Sequence, residues 1–250
     1  MIKLGLFLYL LSPPVSAEEV TITRGSTQVV GEWNQVEGST QGVVMVHQAL
    51  GSREDWDFLS SHLRLAGFST LAISLTPTEQ NRAGWVRTIN QIEAATYWIC
   101  EQGVEYLALI GAGLGANLSM INAEQNTRVD NLVLLSPGLQ YEEIHVETTI
   151  GTYGERPLFI AVSRQDHYSA RSSIYFDVEA RGPHHLEILN RAGHGTQMLS
   201  MAPSLSSEIV SWLTNTHSSI EVDLSLDSEI NTGDTTPLES TGNYLPFDLD

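Results

Sequence analysis

Six short segments of this sequence contain residue types that could do chemistry. Each one closely follows an aliphatic stretch: His47-Gln48-Ala49, Thr76-Pro77, Gly111 to Gly115, Ser136-Pro137-Gly138, Asp166-His167-Tyr168 and Gly193-His194-Gly195. Imidazole and carboxylate groups can exchange protons with a bound molecule, and hydroxyl oxygens can attack one. If the stretches before these segments are neighbouring strands, the segments form a single site.

Strands and helices that alternate along the chain would position the six segments. Runs of β-branched and aliphatic residues predict strands at residues 20–23, 27–33, 42–47, 69–74, 106–110, 132–135, 158–162 and 185–189. Apolar residues at helical spacing predict helices at residues 53–65, 84–101, 114–123 and 202–213. We therefore predict an α/β fold of one domain, a mainly parallel sheet flanked by helices on both faces, with an antiparallel hairpin at one edge. Ligands bind such sheets at the carboxyl ends of the strands, where the six segments lie.

The composition and charge exclude several classes of function. Apolar residues make up 42% of the 250 residues, which suffices for a packed core and excludes wholesale disorder. With 30 acidic and 12 basic residues the formal charge is −18, so phosphate backbones and anionic lipid surfaces would repel the chain. We expect no nucleic-acid partner. No spacing of His and Cys residues matches a metal site, and we expect neither a metal nor a cofactor.

Residues 1–17 have the layout of a signal peptide. Lys3 precedes an apolar run from Leu4 to Leu11, and a pair of prolines then leads to small residues that end at Ala17. We expect cleavage after Ala17 and export of the mature chain to the periplasm or the medium of a bacterium. The run is too short to cross a bilayer, which takes about 20 apolar residues, and no later segment is long and apolar enough.

Residues 218–250 differ in composition from the body of the chain, residues 18–217. They carry eight acidic residues and no Lys, Arg or His, and they show no sustained hydrophobic period. Like charges at this density repel one another, and the apolar content is too small to offset the entropy of ordering the chain. We predict an acidic, disordered tail; residues 244–247 could instead anchor a partner, which the sequence does not identify.

Five segments of the body, in their order, resemble the α/β-hydrolase superfamily. They read VVMVHQALGSREDWDFLSSHLRLAGFSTLAI, YLALIGAGLGANLSM, LVLLSPGLQY, PLFIAVSRQDHYSA and NRAGHGTQML. They resemble, in turn, the third and fourth strands with the oxyanion loop, the nucleophile elbow, the next strand, the acid-bearing strand end and the histidine loop. The resemblance spans residues 25–215 and is strongest to bacterial esterase-like and dienelactone-hydrolase-like members. It implies the α/β-hydrolase fold and an ancestor that hydrolysed carboxylic esters.

The elbow segment departs from the pattern of that family. The family motif is G-x-S-x-G, with serine at the tip of a strained strand-to-helix turn, whereas Gly113 stands at the nucleophile position here. The resemblance implies that Asp166 is the acid and His194 the base, because they follow in the family's chain order. Without a side chain at residue 113, no covalent acyl-enzyme can form there. We expect the substitution to preserve the fold, because glycine tolerates positive φ, and to remove the serine chemistry.

The resemblance also implies how an oxyanion would be bound. The backbone N–H of Leu114 would be one donor, and that of Ala49 or Gln48 the second. The family usually has His-Gly at the start of this loop, so Gln48 after His47 is a second departure. We expect His47 to support the loop through hydrogen bonds.

Two interpretations of function follow from these departures. In the first, the chain is an exported pseudo-hydrolase that keeps its pocket and binds a small ester-like ligand or a partner without turnover. In the second, it is an active carboxylic ester hydrolase in which His194 and Asp166 activate water or Ser136, since a chain free of catalytic selection has no obvious reason to keep that pair. His47, Ser136 and Tyr168 are candidates for the pocket wall in both.

Overall fold

The computed structural model describes residues 17–75 and 82–232. The chain divides into two units, one ending at Thr216 and one beginning at His217. The first unit carries every residue of the predicted site. The predicted signal peptide before Ala17, residues 76–81 and residues 233–250 lie outside the described residues.

Eight of the ten strands of the described chain form one sheet. The strands are β1 (Glu18–Arg24), β2 (Thr27–Asn34), β3 (Gln41–Val46), β4 (Ser69–Ser74), β5 (Tyr106–Ala112), β6 (Asn131–Leu135), β7 (Gln140–Tyr141), β8 (Ile144–His145), β9 (Leu158–Ser163) and β10 (His184–Leu189). The sheet has the order β1-β2-β4-β3-β5-β6-β9-β10, and β7 pairs with β8 in a separate hairpin. In the sheet, β2 is antiparallel to β1 and β4, and all later neighbours are parallel. The predicted mainly parallel sheet with an antiparallel edge hairpin is confirmed.

Helices cover both faces of this sheet, as predicted. They are α1 (Asp57–Leu65, after a 3-10 turn at Arg53–Trp56), α2 (Arg82–Glu101), α3 (Leu114–Gln125), α4 (Thr149–Tyr153), α5 (His167–Glu179), α6 (Gln197–Met201) and α7 (Ser204–Thr232). Leu107 and Leu109 of β5 belong to the same buried cluster as Leu118 of α3. Tyr106 points to the opposite face, because side chains alternate along a strand, and its hydroxyl hydrogen-bonds Thr216 of α7 over 3.2 Å.

The central strands bring the predicted site residues to one edge of the sheet. Every residue of β5, β6 and β9 is buried, which explains why their sequences are continuous aliphatic runs. Because these strands are parallel, the residues that follow their carboxyl ends lie side by side. The loops after β3, β5, β6, β9 and β10 therefore meet above the middle of the sheet.

Helix α5 was missing from the elements predicted from the sequence. Its buried face consists mainly of serines, Ser169, Ser172 and Ser173, with Phe176 as the one large apolar residue among them. Small polar residues carry no hydrophobic period, so the pattern gave no helical signal. The short helices α4 and α6 and the β7–β8 hairpin were missed as well, since two to five residues are too few to show a period.

The last helix of the described residues runs past residue 217, where the predicted tail begins. Helix α7 continues to Thr232, so the backbone of residues 218–232 is helical. Within the described residues, no helix is long and apolar enough to cross a membrane.

Candidate active site

The turn between β5 and α3 has a backbone conformation at Gly113 that residues with a side chain rarely adopt. This glycine has φ 52° and ψ −122°, a sparsely populated combination that costs residues with a side chain about 1–3 kcal/mol. Its N–H donates to the carbonyl oxygen of Leu135 over 2.8 Å, which joins the turn to the end of β6. The sharp strand-to-helix turn of a nucleophile elbow is therefore present without a nucleophile at its tip.

The two flanking glycines are required by close backbone contacts. A Cβ atom on Gly111 would overlap the carbonyl oxygen of Gly115 and lie 2.7 Å from Cα of Ala116. A Cβ atom on Gly115 would overlap the carbonyl oxygen of His47 and lie 2.6 Å from that of Val46. Backbone atoms cannot move aside cheaply, so both positions need glycine for α3 to pack against β5 and the end of β3.

A histidine and an aspartate from the ends of two other strands form a hydrogen-bonded pair. Nδ1 of His194 lies 2.6 Å from Oδ2 of Asp166, so the Nδ1–H of the imidazole donates to the carboxylate. Asp166 also caps α5, because its Oδ1 accepts the backbone N–H of Ser169 over 3.3 Å. The loop that carries the histidine turns at Gly193 and Gly195, both with positive φ. The predicted acid and base are thus brought together.

The imidazole of His194 approaches the space that a nucleophile would occupy. A Cβ atom built on Gly113 would lie 2.9 Å from Nε2 of His194 and 3.2 Å from Cβ of Gln48. These separations are shorter than side chains normally allow, so a serine at this position would have to push the imidazole back. The His194 side chain is 40% exposed and can make that movement.

The loop after β3 is fixed by His47 and Gln48. Nε2 of His47 accepts the backbone N–H of Leu75 over 3.0 Å, so its proton lies on Nδ1, which donates to the carbonyl oxygen of Gln48 over 2.8 Å. Oε1 of Gln48 accepts the N–H of Thr196 over 3.1 Å and lies against Gly195. Gln48 therefore joins the oxyanion loop to the histidine loop through its side chain, a contact that the sequence did not predict.

The residues that carry the expected oxyanion donors line one cavity. The N–H of Leu114 is in the first turn of α3, where backbone N–H groups have no acceptor within the helix. Leu114, Gln48 and Ala49 also form part of one cavity wall with His194. The positive end of the α3 dipole points toward the same place and favours negative charge there.

Ser136 does not lie in the wall of either cavity at the site. Its side chain is fully buried, and its Oγ accepts the backbone N–H of Gly195 over 3.0 Å. This contact holds the histidine loop against β6. The placement corrects the expectation that Ser136 lines the pocket, because its position after the strand turned the hydroxyl toward the loop rather than toward the cavity.

Tyr168, which was also expected in the pocket wall, does not line either cavity. The tyrosine that lines the smaller cavity is Tyr141. The hydroxyl of Tyr168 donates to the carbonyl oxygen of Gln140 over 2.6 Å on the surface. The Tyr141 ring stands edge-on to His194 at 6.2 Å between centroids. Its hydroxyl donates to the carbonyl oxygen of Ser136, and burial raises the pKa of Tyr141 to about 12. Tyr141 comes from the β7–β8 hairpin, which had no sequence signal.

Two adjoining cavities open at this edge of the sheet. The larger, of about 350 Å³, is lined by His47, Gln48, Ala49, Leu50, Gly51, Ser52, Ser74, Leu75, Trp85, Thr88, Leu114, Gly115, Leu118 and Glu142. The smaller, of about 130 Å³, is lined by Gln48, Ala49, Leu114, Tyr141, Glu142 and His194. A ligand could place a reacting group in the small cavity and an apolar substituent in the large one. Glu142 is exposed at the entrance to both and was not predicted from the sequence.

No group of three or more His, Cys, Asp and Glu side chains suited to a metal ion occurs within residues 17–75 and 82–232. The consecutive histidines in β10 do not form a metal site there. His185 stacks on Phe159 at 5.2 Å between ring centroids, and its nearest carboxylate is that of Glu187.

Comparison with known proteins places this geometry in a known fold. No family model and no curated protein matches the sequence. Among solved structures, dienelactone hydrolase from Anabaena variabilis is similar over 80% of this chain and 97% of that chain, with 17% identity and a TM-score of 0.68. The esterase domain of a Rhodothermus marinus protein is similar over 79% and 97%, with 14% identity and a TM-score of 0.66. An esterase from Pyrococcus furiosus is similar over 80% and 90%, with 15% identity and a TM-score of 0.69.

The chain has the α/β-hydrolase fold. In this fold the nucleophile, the acid and the histidine follow in that order along the chain. Gly113 after β5, Asp166 after β9 and His194 after β10 have this order and meet in space. Asp166, His194 and the loop after β3 therefore surround a residue without a side chain.

Proposed function

We propose that this protein is a pseudo-hydrolase of esterase-like ancestry that binds a small acyl compound without forming an acyl-serine. The observation that carries the proposal is Gly113, which keeps the positive-φ turn of an elbow and offers no hydroxyl. Loss of the nucleophile alone costs about 10⁶-fold in kcat in subtilisin, whereas oxyanion binding and substrate binding survive. Binding is therefore the property that this site retains.

The cavities support a ligand with an ester or related carbonyl group. Leu75, Trp85, Leu114 and Leu118 give the larger cavity an apolar wall, and about 350 Å³ is enough for a small molecule. The carbonyl oxygen would lie near the Leu114 N–H, at the positive end of α3. The similar solved structures include a dienelactone hydrolase and esterases, which is in keeping with this ligand class.

Charge at the entrance narrows the proposed ligand further. Glu142 lies in the wall of both cavities, and residues 18–217 carry 22 acidic residues against eleven arginines. This field repels anions and attracts cations. We propose that the ligand is uncharged or positively charged, and that a free carboxylate binds less tightly than its ester.

An active hydrolase is the second candidate, and the intact His194–Asp166 pair favours it. His194 could draw a proton from a water molecule that attacks the ester carbonyl. The buried Ser136 hydroxyl, which accepts a hydrogen bond from Gly195, is a poorer nucleophile candidate than water.

Hydrolysis of simple ethyl esters separates the two candidates. We expect the wild-type protein to release acid no faster than buffer in a pH-stat titration, while ligand-observed NMR detects binding of the same esters. Gly113→Ser should gain a hydrolysis rate that His194→Ala removes again. Gly113→Ala is the matched control, since it adds the Cβ atom without the hydroxyl and should stay at the buffer rate. Wild-type hydrolysis that depends on His194 would contradict the proposal and support the active hydrolase.

We also propose that the protein is exported. The layout of residues 1–17 supports this, and strand β1 begins at Glu18, directly after the expected cleavage position. Expression of the full chain in a bacterium, followed by fractionation and N-terminal sequencing, should give an extracytoplasmic product that begins at Glu18. A cytoplasmic product that still carries residues 1–17 would contradict export.

A further inference from the structure

We propose that His194 is itself an acyl acceptor, which takes the acyl group directly from activated donors such as aryl esters and thioesters. This inference goes beyond the binding function, because it assigns a covalent step to the imidazole. It differs from the water route as well, since the acyl group becomes attached to the protein.

The hydrogen bonds of His194 leave its nucleophilic nitrogen available. Nδ1 is held by Asp166 at 2.6 Å, so in the neutral ring the proton lies on Nδ1 and Nε2 carries the lone pair. In a serine hydrolase the nucleophile hydroxyl hydrogen-bonds Nε2, and this hydroxyl rather than the imidazole attacks the substrate carbonyl. Gly113 provides no such hydroxyl, and the site of its missing Cβ is 2.9 Å from Nε2.

The position of the imidazole makes direct attack possible. His194 forms the wall of the smaller cavity together with Leu114 and Ala49, the residues of the expected oxyanion donors. A carbonyl group that enters this cavity of about 130 Å³ has donors near its oxygen and the imidazole near its carbon. Histidine is among the side chains that form covalent intermediates in enzymes, and a group held in position reacts much faster than one in free solution.

The reaction balances without any further cofactor. The lone pair of Nε2 attacks the carbonyl carbon of R–CO–X and forms an N–C bond. The C–X bond then breaks and X leaves with its electron pair as a thiolate or phenolate, while the imidazolium proton on Nδ1 remains hydrogen-bonded to Asp166. Water next adds to the acyl carbon, the N–C bond breaks, and its electron pair returns to Nε2; the proton that the water loses is taken up by the departed X anion, which gives HX. The sum is R–CO–X plus water giving a carboxylic acid and HX.

The leaving group decides which donors can react. Thiols and phenols have pKa values near 8.5 and 10, so their anions depart from the tetrahedral intermediate. An alkoxide is a far more basic leaving group, and the intermediate expels the imidazole instead, which regenerates the ester. Ethyl esters should therefore bind without reacting, and the tests of binding and of acyl transfer are independent.

The test uses p-nitrophenyl trimethylacetate, whose branched acyl group slows deacylation. With the full-length protein in excess over the ester, we expect a burst of p-nitrophenolate and one trimethylacetyl group per chain in native mass spectra at neutral pH. Peptide mapping should place the group on His194, and hydroxylamine should remove it. His194→Ala should abolish both the burst and the label, and Asp166→Asn should slow them about tenfold or more because the amide donates to Nδ1 and the proton on Nε2 then occupies the lone pair that attacks.

Two further variants control the experiment. His145→Ala removes an exposed histidine outside the site and should leave burst and label unchanged. Gly113→Ser should move the acyl group from His194 to residue 113. A wild-type burst without a label would overturn the inference in favour of the water route, and release no faster than in His194→Ala would overturn it altogether. Both of these outcomes leave the predicted binding of ethyl esters unchanged. Hydrolysis of ethyl esters, in contrast, would refute the pseudo-hydrolase function and leave acylation of His194 to be judged by the label.

Discussion

At the scale of single residues, three glycines of one short motif have different physical tasks. Gly113 has a positive φ that would strain any other residue, and a Cβ atom there meets the movable imidazole of His194. Gly111 and Gly115 are required because a Cβ atom would overlap backbone carbonyl oxygens. Of the three positions, residue 113 is therefore the one at which the fold best tolerates a side chain, and it is also the position of the nucleophile in the family motif.

This difference predicts unequal costs of substitution. Gly113→Ala should lower the free energy of unfolding by about 1–2 kcal/mol, from backbone strain. Gly115→Ala should lower it by about 3 kcal/mol or more, since overpacking against the His47 and Val46 carbonyls forces the backbone to shift. Urea unfolding of both variants tests this. Gly103→Ala is the control for strain alone, because Gly103 has positive φ and open space around it; equal costs at residues 113 and 115 would contradict the account.

At the scale of elements, the site depends on the ends of strands and helices rather than on their interiors. Asp166 illustrates this, since one carboxylate oxygen caps α5 through Ser169 and the other holds His194. The structure thus couples the start of a helix to the orientation of the base. The sequence predicted β9 and the acid that follows it, but not α5, because the buried serines of that helix hide its period.

The double role of Asp166 predicts a split between two variants. Asp166→Ala loses the cap and should lower the free energy of unfolding by about 1 kcal/mol. Asp166→Asn keeps an oxygen for the Ser169 N–H and should be closer to wild type. Its amide then donates to Nδ1 of His194, so nitrogen NMR of the ring should show the proton moved to Nε2. An asparagine variant with the wild-type tautomer would contradict the arrangement.

At the scale of the whole molecule, the strong negative charge acts on what can enter the cavities. The −18 formal charge belongs to the full chain, and Glu142 adds a carboxylate directly at the entrance. An exposed charge of this kind contributes at most about 1 kcal/mol to binding, so its effect is selectivity rather than affinity. Salt should weaken it, because exposed charges are screened.

Glu142→Gln should therefore change the preference between charged ligands. Relative to wild type, we expect an ester with a trimethylammonium end to bind up to about fivefold more weakly and an ester with a carboxylate end to bind more tightly. An uncharged ester of the same size should be unaffected. NMR titration at low and at high salt measures all three. An unchanged ratio of cationic to anionic ligand would show that Glu142 has no part in selection.

The sequence by itself determined the sheet, the chain order of Asp166 and His194, and the absence of a side chain at residue 113. Buried strands need continuous aliphatic runs and the order of motifs is linear information, so β3, β5, β9, Asp166 and His194 could be read from it. The tertiary structure decided which side chains face the cavity. Tyr141 and Glu142 enter it from a hairpin of two-residue strands, while Ser136 turns away to hold the histidine loop. Such directions depend on contacts between loops far apart in the chain, and no local period encodes them.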